Sequence, residues 1–492
     1  METYKTFLKN NRAVLIGHVL IYAQGIILMP IIIKTAGVTI YGGYILVSTI
    51  VGLIYGISSF GVGFKSGRFL PATEGREARS AIFYPQFCFQ FLSIIMLSLM
   101  FILFYPFLDK FFFKGEFIFS KWLIFPFLIF YFLYSQVASY FLSTHRVSHF
   151  NYATIAFPYL NIALIVLVYL VTHNLSVNIL FSTQILSYII LAVPLALLLF
   201  REIGLKFVLP DKTNLIDDIK FGFPLRVNYV MDFLLGSSDR YLITYFLTVA
   251  AVGYYNPGYA LGSLIIFFPR VSGVVLMPLL SKAIDNGKHL EAQNMLNYTI
   301  KGFLLMAIPF IVGATVLSGP LLYLFANAEV SQKAYLVTPV VAAATLFFGL
   351  NVILSNALWV KMKTAVMLKM NMLAAVINLI LNVIFLYIFK NVLVAAFTTF
   401  FSYLIVFVVI RKAVIRDWPL HFEFRPIIKS IAASALMGTT LYLISLYLRS
   451  NIHRAWFLLS EILIAIAVYV LALFAMKTFS HKELQFIKRA FS

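Results

Sequence analysis

Hydrophobic side chains occur along this chain in blocks of about 20 residues, separated by short polar segments. A helix of about 20 residues crosses a hydrocarbon layer of roughly 30 Å, whereas a membrane-spanning strand shows short segments of alternating hydrophobicity. The pattern therefore predicts an all-α integral membrane protein with about fourteen transmembrane helices. Their predicted positions are residues 13–33, 38–63, 82–106, 122–144, 152–172, 178–200, 221–247, 253–280, 293–317, 334–358, 365–388, 393–410, 428–448 and 456–476.

A weak internal repeat indicates how these helices are grouped. Residues 41–44 read YGGY and open the second predicted helix, and residues 252–255 read VGYY and open the eighth. Because six helices separate the two copies, the repeats would be parallel and related by an axis along the membrane normal. We expect two six-helix lobes with pseudo-two-fold symmetry, an N-terminal lobe over residues 1–210 and a C-terminal lobe over 211–412. Residues 413–492 would add two further helices.

Composition and charge exclude a soluble protein. Of 492 residues, 62% are hydrophobic and 11% are charged, whereas soluble domains carry about 25% charged residues. With the N-terminus in the cytoplasm, the predicted cytoplasmic segments hold 25 Lys and Arg, and the outer segments hold 8. This bias is typical of cytoplasmic loops, so the net charge of +20 does not indicate nucleic-acid binding. We expect a multi-pass protein of the inner (cytoplasmic) membrane with both termini in the cytoplasm.

The sequence contains none of the motifs that catalysis or ATP hydrolysis would require. Cys88 is the single cysteine, which excludes an internal disulfide and a multi-cysteine metal site. The chain has no GxxxxGK[ST] nucleotide-binding loop, no HExxH motif and no Ser/His/Asp order. We therefore predict a protein that is not an enzyme and has no metal site and no cofactor.

Charged residues concentrate in the seventh predicted helix. On insertion scales, a charge at the centre of a membrane helix costs roughly 2.5–3.5 kcal/mol, so such residues are kept only if they are paired, hydrated or used. At 100° per residue, Arg226 and Arg240 lie within about 40° of each other, and Asn228, Asp232 and Asp239 form a second stripe. Two interpretations remain open, an ion-pair network that joins helices and a hydrated cavity lined by this face.

Two further titratable residues lie in predicted helices. Arg270 in the eighth helix would lie at a depth similar to that of Arg226, and two guanidinium groups at one level suit an anionic group such as a phosphate. Alternatively, Arg270 extends to the interface or caps a carbonyl freed by Pro269. His18 in the first helix could titrate in a proton-coupled cycle or be a hydrogen-bonded core residue.

Four short motifs in residues 220–282 carry a resemblance to a known family. They are GFPL at 222–225, SDR at 238–240, VGYY at 252–255 and PLLSK at 278–282. Their order and spacing resemble the middle of the polysaccharide-transporter branch of the multidrug/oligosaccharidyl-lipid/polysaccharide exporter superfamily, and the Tyr41-Gly42 turn matches as well. Two lobes with fourteen helices fit the rest of the chain.

The resemblance implies a flippase that moves an undecaprenyl-pyrophosphate-linked oligosaccharide, an O-antigen or exopolysaccharide repeat unit, to the outer leaflet by alternating access. It implies coupling to protons or sodium, and Asp239 and Arg240 match the family's Asp-Arg element. Helix geometry alone assigns the remaining roles. The expected substrate-binding residues are Arg226, Arg240, Arg270 and Asn228, and the candidate ion-coupling residues are Asp232, Asp239 and His18.

Two other functions stay open. A multidrug cation antiporter of the same superfamily would favour carboxylates in its cavity, but three deep Arg here outnumber two deep Asp. A membrane polysaccharide polymerase or glycosyltransferase would need a large outer loop or a metal-binding carboxylate motif, and neither is visible. For the flippase, the expected partners are the lipid-linked oligosaccharide and the phospholipid bilayer, with a polysaccharide polymerase and a chain-length regulator as candidate protein partners. We expect a monomer.

Overall fold

The computed structural model describes residue 20 and residues 23–62, 69–113, 115, 119–144, 146–204, 211–416, 418, 424–447 and 455–479. Throughout this part of the chain the structure is helical, and no strand occurs in it. By packing, the chain divides into two compact units, Met1–Gly253 and Tyr254–Ser492. The predicted division into lobes at residue 210 rests on the sequence repeat and stays a prediction.

The first unit contains seven described helices and the beginning of an eighth. Small 3₁₀ turns at Leu70–Ala72 and Lys121–Leu123 precede two of them. The helices are α1 Ala23–Ala36, α2 Val38–Ser58, α3 Arg76–Phe112, α4 Ile124–Ser143, α5 Val147–Thr172, α6 Val177–Ile203, α7 Lys212–Phe246 and the first residues of α8 Val249–Gly262.

The second unit contains the rest of α8 and the eight described helices that follow it. One of them, α11, has only seven residues and joins two long helices. The helices are α9 Phe267–Asp285, α10 His289–Phe325, α11 Ala328–Ala334, α12 Val337–Val360, α13 Thr364–Phe389, α14 Val392–Ile415, α15 Phe424–Tyr447 and α16 Ala455–Ala475.

Twelve of the described helical segments are long and apolar enough to cross a membrane. The 35-residue α7 is not among them because its charged and polar residues lower its hydropathy. Only 14 residues of α1, Ala23–Ala36, are described. With α7 and α1 added, these segments account for the predicted set of about fourteen helices. The predicted class, a multi-pass all-α membrane protein, is confirmed.

One helix that was predicted to be continuous is interrupted in the structure. The eighth predicted helix, 253–280, is divided into α8 and α9 by a 3₁₀ turn at Leu264–Ile266. Pro269 explains why the break occurs here, because proline has no N–H to donate to the carbonyl of Ile265 one turn earlier. In the first turn of α9, a missing N–H costs nothing, since the first N–H groups of a helix have no intrahelical acceptor.

The two copies of the sequence repeat contact each other within the first unit. A Cβ added to Gly42 would overlap the carbonyl oxygen of Val249, and a Cβ added to Gly253 would overlap the carbonyl oxygen of Val38. Each carbonyl lies one helical turn before the glycine of its own copy. The contact is therefore reciprocal, as a local two-fold relation produces, and the two glycines allow the backbones of α2 and α8 to approach closely.

A polar contact at the helix surface joins α8 to α11 in the second unit. The Tyr254 hydroxyl donates to Glu329 Oε1 at 2.5 Å, and Lys333 Nζ donates to the same oxygen at 2.8 Å. The hydrogen bond from Lys333 holds the pKa of the Glu329 carboxyl below its ordinary value, and the Glu329 carboxylate raises the pKa of Lys333. The contribution of the Glu329–Lys333 pair to stability is lost as the pH falls through the lowered pKa of Glu329 or rises through the raised pKa of Lys333.

We predict that Gly253→Ala destabilises the protein by about 1–3 kcal/mol, because the new Cβ meets backbone atoms that cannot move aside. Thermal unfolding of the purified protein in detergent measures the effect. Gly313→Ala in α10 is the matched control, since a Cβ there has no atom within 4 Å and the change is expected to be neutral or stabilising. Equal melting temperatures for the two variants would contradict the close backbone contact between α2 and α8 at Gly253.

Candidate functional site

The charged helix α7 packs against α2 through small residues. A Cβ on Gly222 would overlap Gly61, and a Cβ on Gly56 would overlap the ring of Tyr229. The Tyr229 hydroxyl donates to the carbonyl oxygen of Gly52 at 2.8 Å. Further along α7, the hydroxyls of Tyr241 and Thr49 are 2.7 Å apart. Small residues on one side of α2 thus make room for tyrosines of α7, and the glycine of the GFPL motif lies at a close backbone contact.

Asp239 and Arg240 form an ion pair in the interior of the first unit. Their side chains are almost fully buried, and Arg240 Nη1 lies 3.5 Å from Asp239 Oδ1. The same nitrogen donates to the carbonyl oxygen of Gly236 at 2.6 Å, and Asp239 Oδ1 accepts from the Arg240 backbone N–H at 2.8 Å. Each charged side chain therefore has an opposite charge beside it in the interior.

Arg226 has different surroundings from Arg240. It is half-buried, and its guanidinium carbon lies 5.9 Å from the centroid of the Tyr229 ring. It also interacts electrostatically with the phenol groups of Tyr55 and Tyr229. A cation near the face of an aromatic ring is attracted by about 0.5–2 kcal/mol. Arg226 is therefore a cationic group beside the phenols of Tyr55 and Tyr229.

Tyr55 belongs to a group of phenol, hydroxyl and amide side chains. The Tyr55 hydroxyl donates to Ser135 Oγ at 2.6 Å, and Gln136 Nε2 donates to Gln90 Oε1 at 2.6 Å. The ring centroid of Tyr131 lies 4.5 Å from that of Tyr55 and 5.3 Å from that of Tyr188. We call this group the tyrosine–glutamine layer. Its members come from α2, α3, α4 and α6 and are Tyr55, Gln90, Tyr131, Ser135, Gln136 and Tyr188.

Most members of the tyrosine–glutamine layer were not candidates in the sequence analysis. A signal was present, because Tyr131 and Ser135 lie four residues apart on one face of a predicted membrane helix. A hydropathy profile does not show this polar pattern, because tyrosine is counted with the hydrophobic aromatic residues although it carries a hydroxyl. The hydroxyls of Tyr131 and Tyr188 have no hydrogen-bond partner among the described residues, so they could bind a polar ligand.

The second predicted stripe of α7 has two different environments. Asp232 is exposed and accepts a hydrogen bond from Asn228 Nδ2 at 3.3 Å, whereas Asp239 is buried beside Arg240. Helical spacing places these residues on one face but cannot give what packs against each turn. The assignment of Asn228 to substrate and of Asp232 to ion coupling stays a prediction.

Arg270 and His18 are the remaining predicted site residues. Arg270 is exposed in the first turn of α9, directly after the buried Pro269, and belongs to the second unit. Its predicted cooperation with Arg226 stays a prediction. His18 lies outside the described residues. Within the described ranges, no three His, Cys, Asp or Glu side chains are close enough to hold a metal ion together.

Two family models match this sequence. The model of the polysaccharide biosynthesis protein family matches residues 7–284, more than half of the chain. The chain belongs to the polysaccharide biosynthesis protein family. The MatE family model matches residues 224–384, and together the two matches place this family member in the multidrug/oligosaccharidyl-lipid/polysaccharide exporter superfamily. The predicted family is confirmed, and its members are transporters rather than enzymes.

Solved structures share the fold at low sequence identity. The lipid II flippase MurJ in an inward closed conformation has a TM-score of 0.73 at 17% identity, covering 94% of this chain and 98% of that one. An inward-facing multidrug resistance MATE family transporter has a TM-score of 0.64 at 13% identity, covering 80% and 94%. The MATE multidrug transporter DinF-BH has a TM-score of 0.56 at 17% identity, covering 84% and 95%. No curated protein matches the sequence.

We predict that Asp239→Asn destabilises the protein by roughly 3–5 kcal/mol, because it leaves the buried Arg240 charge without its partner. Asp232→Asn is the matched control on the same helix, where an exposed side chain predicts a change within about 0.5 kcal/mol. Thermal unfolding in detergent compares the two variants. If Asp239→Asn melts at the same temperature as Asp232→Asn, the pair does not stabilise the interior of the first unit.

Proposed function

We propose that this protein is a flippase that moves an undecaprenyl-pyrophosphate-linked oligosaccharide from the cytoplasmic to the outer leaflet by alternating access. The observation that carries the proposal is the match of the polysaccharide biosynthesis family over residues 7–284. That match covers every element of the first unit, including α7 and the tyrosine–glutamine layer. The transported unit would be an O-antigen or exopolysaccharide repeat unit.

The side chains near Arg226 suit the head of such a lipid. A flippase must replace the water around a sugar phosphate while the lipid tail stays in the bilayer. A guanidinium offers a planar set of donors to phosphate oxygens, and phenol, hydroxyl and amide groups can bond sugar hydroxyls. Arg226 and the tyrosine–glutamine layer supply both kinds of group in one helical unit. These contacts support an anionic, hydroxyl-rich cargo.

We assign the first capture of the pyrophosphate to Arg226 and Arg270 at the cytoplasmic side. Arg240 would receive it farther outward, after its bond to Asp239 is exchanged for one to the phosphate, and Asn228 would contact the head. The exchange keeps an anion beside Arg240, and the Asp239 carboxylate binds the coupling ion in place of the guanidinium, so neither buried charge is left uncompensated. We further propose an inner-membrane location with both termini in the cytoplasm, a monomeric transporter, and a polysaccharide polymerase and chain-length regulator as partners.

Arg226→Ala and Arg270→Ala are each expected to reduce polymer export in a complementation assay. Loss of a charge-assisted hydrogen bond costs about 1.5–3 kcal/mol, or roughly tenfold or more in affinity. Arg226→Lys retains the charge without the planar fork and should be intermediate. Lys369→Ala, which removes an exposed lysine of α13, is the control and should export normally. Normal export by both arginine variants at normal protein level would remove the capture role.

Ion coupling is assigned to Asp239, with Asp232 and His18 as the other candidates. We expect that Asp239→Asn changes the dependence of transport on pH or sodium, because an amide cannot bind and release the coupling ion as a carboxylate does. Transport into proteoliposomes, with the pH and sodium gradients varied separately, measures this. A variant that transports with unchanged dependence on both ions would rule out Asp239.

A multidrug cation antiporter is the second candidate, since the MatE family model matches residues 224–384. A cation carrier would be expected to expose carboxylates to its cargo, whereas Asp239 is held by Arg240 and Arg226 lies beside phenols. A binding assay with the purified protein separates the two functions. Preference for organic cations over pyrophosphate lipids would favour the antiporter and overturn the flippase.

A further inference from the structure

A single carboxyl group lies inside the last described helix. Glu461 is the one charged residue among the 21 residues of α16. Its side chain is only 2% exposed, and it belongs to the buried stripe of this helix, together with Leu458, Ala465 and Tyr469. Residues spaced three and four apart share one helix face, so Glu461 points toward protein rather than lipid. The sequence analysis did not select it.

Nothing in the described part of the chain bonds to this carboxyl group. Glu461 Oε2 is inaccessible and has no hydrogen-bond partner, and no ion pair includes Glu461. Another buried polar side chain of α16 does have partners. Two turns further along α16, the Tyr469 hydroxyl lies 2.8 Å from Ser430 Oγ and 2.7 Å from the carbonyl oxygen of Leu305. Glu461 is therefore different from the polar groups that join these helices.

The same helix pair contains a second polar group without a partner. Ser434 of α15 is fully buried, and its hydroxyl has no hydrogen bond in the described residues. It lies one turn beyond Ser430, toward the level of Glu461. By contrast, buried polar groups at the α13–α14 interface bond to one another, since Asn382 Nδ2 donates to Asn378 Oδ1 and Thr398 Oγ1 donates to Asn382 Oδ1. Glu461 and Ser434 are thus two buried polar groups of the α15–α16 pair that have no hydrogen bond within the described residues.

The helices packed against α16 present apolar side chains to Glu461. Ser430 bonds to Tyr469 and Lys429 to the carbonyl oxygen of Lys477, so the beginning of α15 lies beside the end of α16. Because only seven residues connect the two helices, we infer that they are antiparallel, which places Met437, Gly438 and Leu441 at the level of Glu461. Gly438 also contacts Val312 of α10, so the same level of α10 holds Val312 and Val316. The face of α16 that carries Glu461 therefore packs in a layer of mostly aliphatic side chains.

The titratable groups of α15 and α10 lie mostly far from this layer. Tyr442, which is exposed, is the nearest on α15, and Tyr323 is the nearest on α10. The charged residues of both helices lie toward their other ends, at the level beyond Tyr469. They are Arg425 and Lys429 on α15, and His289, Glu291 and Lys301 on α10.

These surroundings fix the protonation state that Glu461 can have when the helices are packed. An ionised carboxylate in an apolar layer, with neither a hydrogen bond nor a cation from the described residues, loses its solvation and gains nothing in return. A neutral carboxylic acid avoids most of this cost. When water reaches the group, the ionised form becomes favourable again. Proton binding and helix packing at this place are therefore linked.

We propose that Glu461 is a proton-binding site of the α15–α16 pair, which holds its proton while the pair is packed on α10 and releases it when the packing opens to water. Acidic conditions then favour the packed pair, and alkaline conditions favour its opening. The site is independent of Arg226 and of the cargo, so it can exist whether or not the flippase assignment is correct.

Labelling of the full-length protein in lipid nanodiscs with dicyclohexylcarbodiimide tests the site directly. This apolar reagent reacts with protonated carboxyl groups in apolar surroundings, and peptide mass spectrometry identifies the modified residue. We expect Glu461 to be modified near neutral pH, and the labelling to fall by up to about tenfold per pH unit once the proton is released. The exposed Glu329 should react instead with a water-soluble carbodiimide, and Glu461→Gln should lose the apolar label. A Glu461 that stays unmodified, or is modified equally from about pH 5 to about pH 9, overturns the proposal.

Hydrogen exchange tests the link to packing. After correction for the intrinsic effect of pH, amides of α16 should exchange several-fold faster at alkaline than at acidic pH in the wild type, while α13 and α14 serve as the internal reference. Glu461→Gln, which cannot ionise, should remove this difference, and Glu461→Leu provides the same test if the glutamine variant does not fold. An exchange pattern that depends on pH equally in wild type and variants would also overturn the proposal.

Discussion

The cost of placing a polar group in hydrocarbon, without a partner, controls where this chain puts its few charges. That cost is several kcal/mol for an unsatisfied group and more for a charge. The chain meets it in different ways at different places. Asp239 and Arg240 neutralise each other on adjacent positions, Arg226 lies beside phenol groups, and Asp232 remains exposed. Each of these arrangements leaves the charged side chain available to a cargo to a different extent.

Close helix packing makes these arrangements possible. Lipid chains are as apolar as leucine, so helices in a membrane gain from van der Waals contact and from hydrogen bonds between helices rather than from the hydrophobic effect. Glycines of α2 bring it against α7 and the start of α8, and Tyr229 and Tyr241 then bond across the gap. The polar face of α7 is thereby held against a rigid neighbour. A transporter needs such a fixed polar surface if a headgroup is to replace its hydration water in steps.

The membrane class and most of the helices are predictable from the sequence alone. Apolar blocks of helical length gave the membrane class and nearly all of the helices, because burial in lipid imposes a length and a composition on every span. The break between α8 and α9 was missed, since Pro269 could as well have kinked a continuous helix. The motif glycines Gly42 and Gly253 were noticed as a repeat, and only the packing showed that the two copies contact each other.

The sequence determines some properties of the candidate site, and helix packing determines the others. Sequence alone determined that α7 carries charges at a depth where charges are rare, and the family motifs around them determined the superfamily, because both depend on residue identity and order. Tertiary structure decided that Arg240 is paired, that Arg226 adjoins the tyrosine–glutamine layer, and that Glu461 is buried on the packed face of α16. Periodicity gives the face of a helix on which a residue lies. The neighbours that set its charge state come from distant parts of the chain, and only packing brings them together.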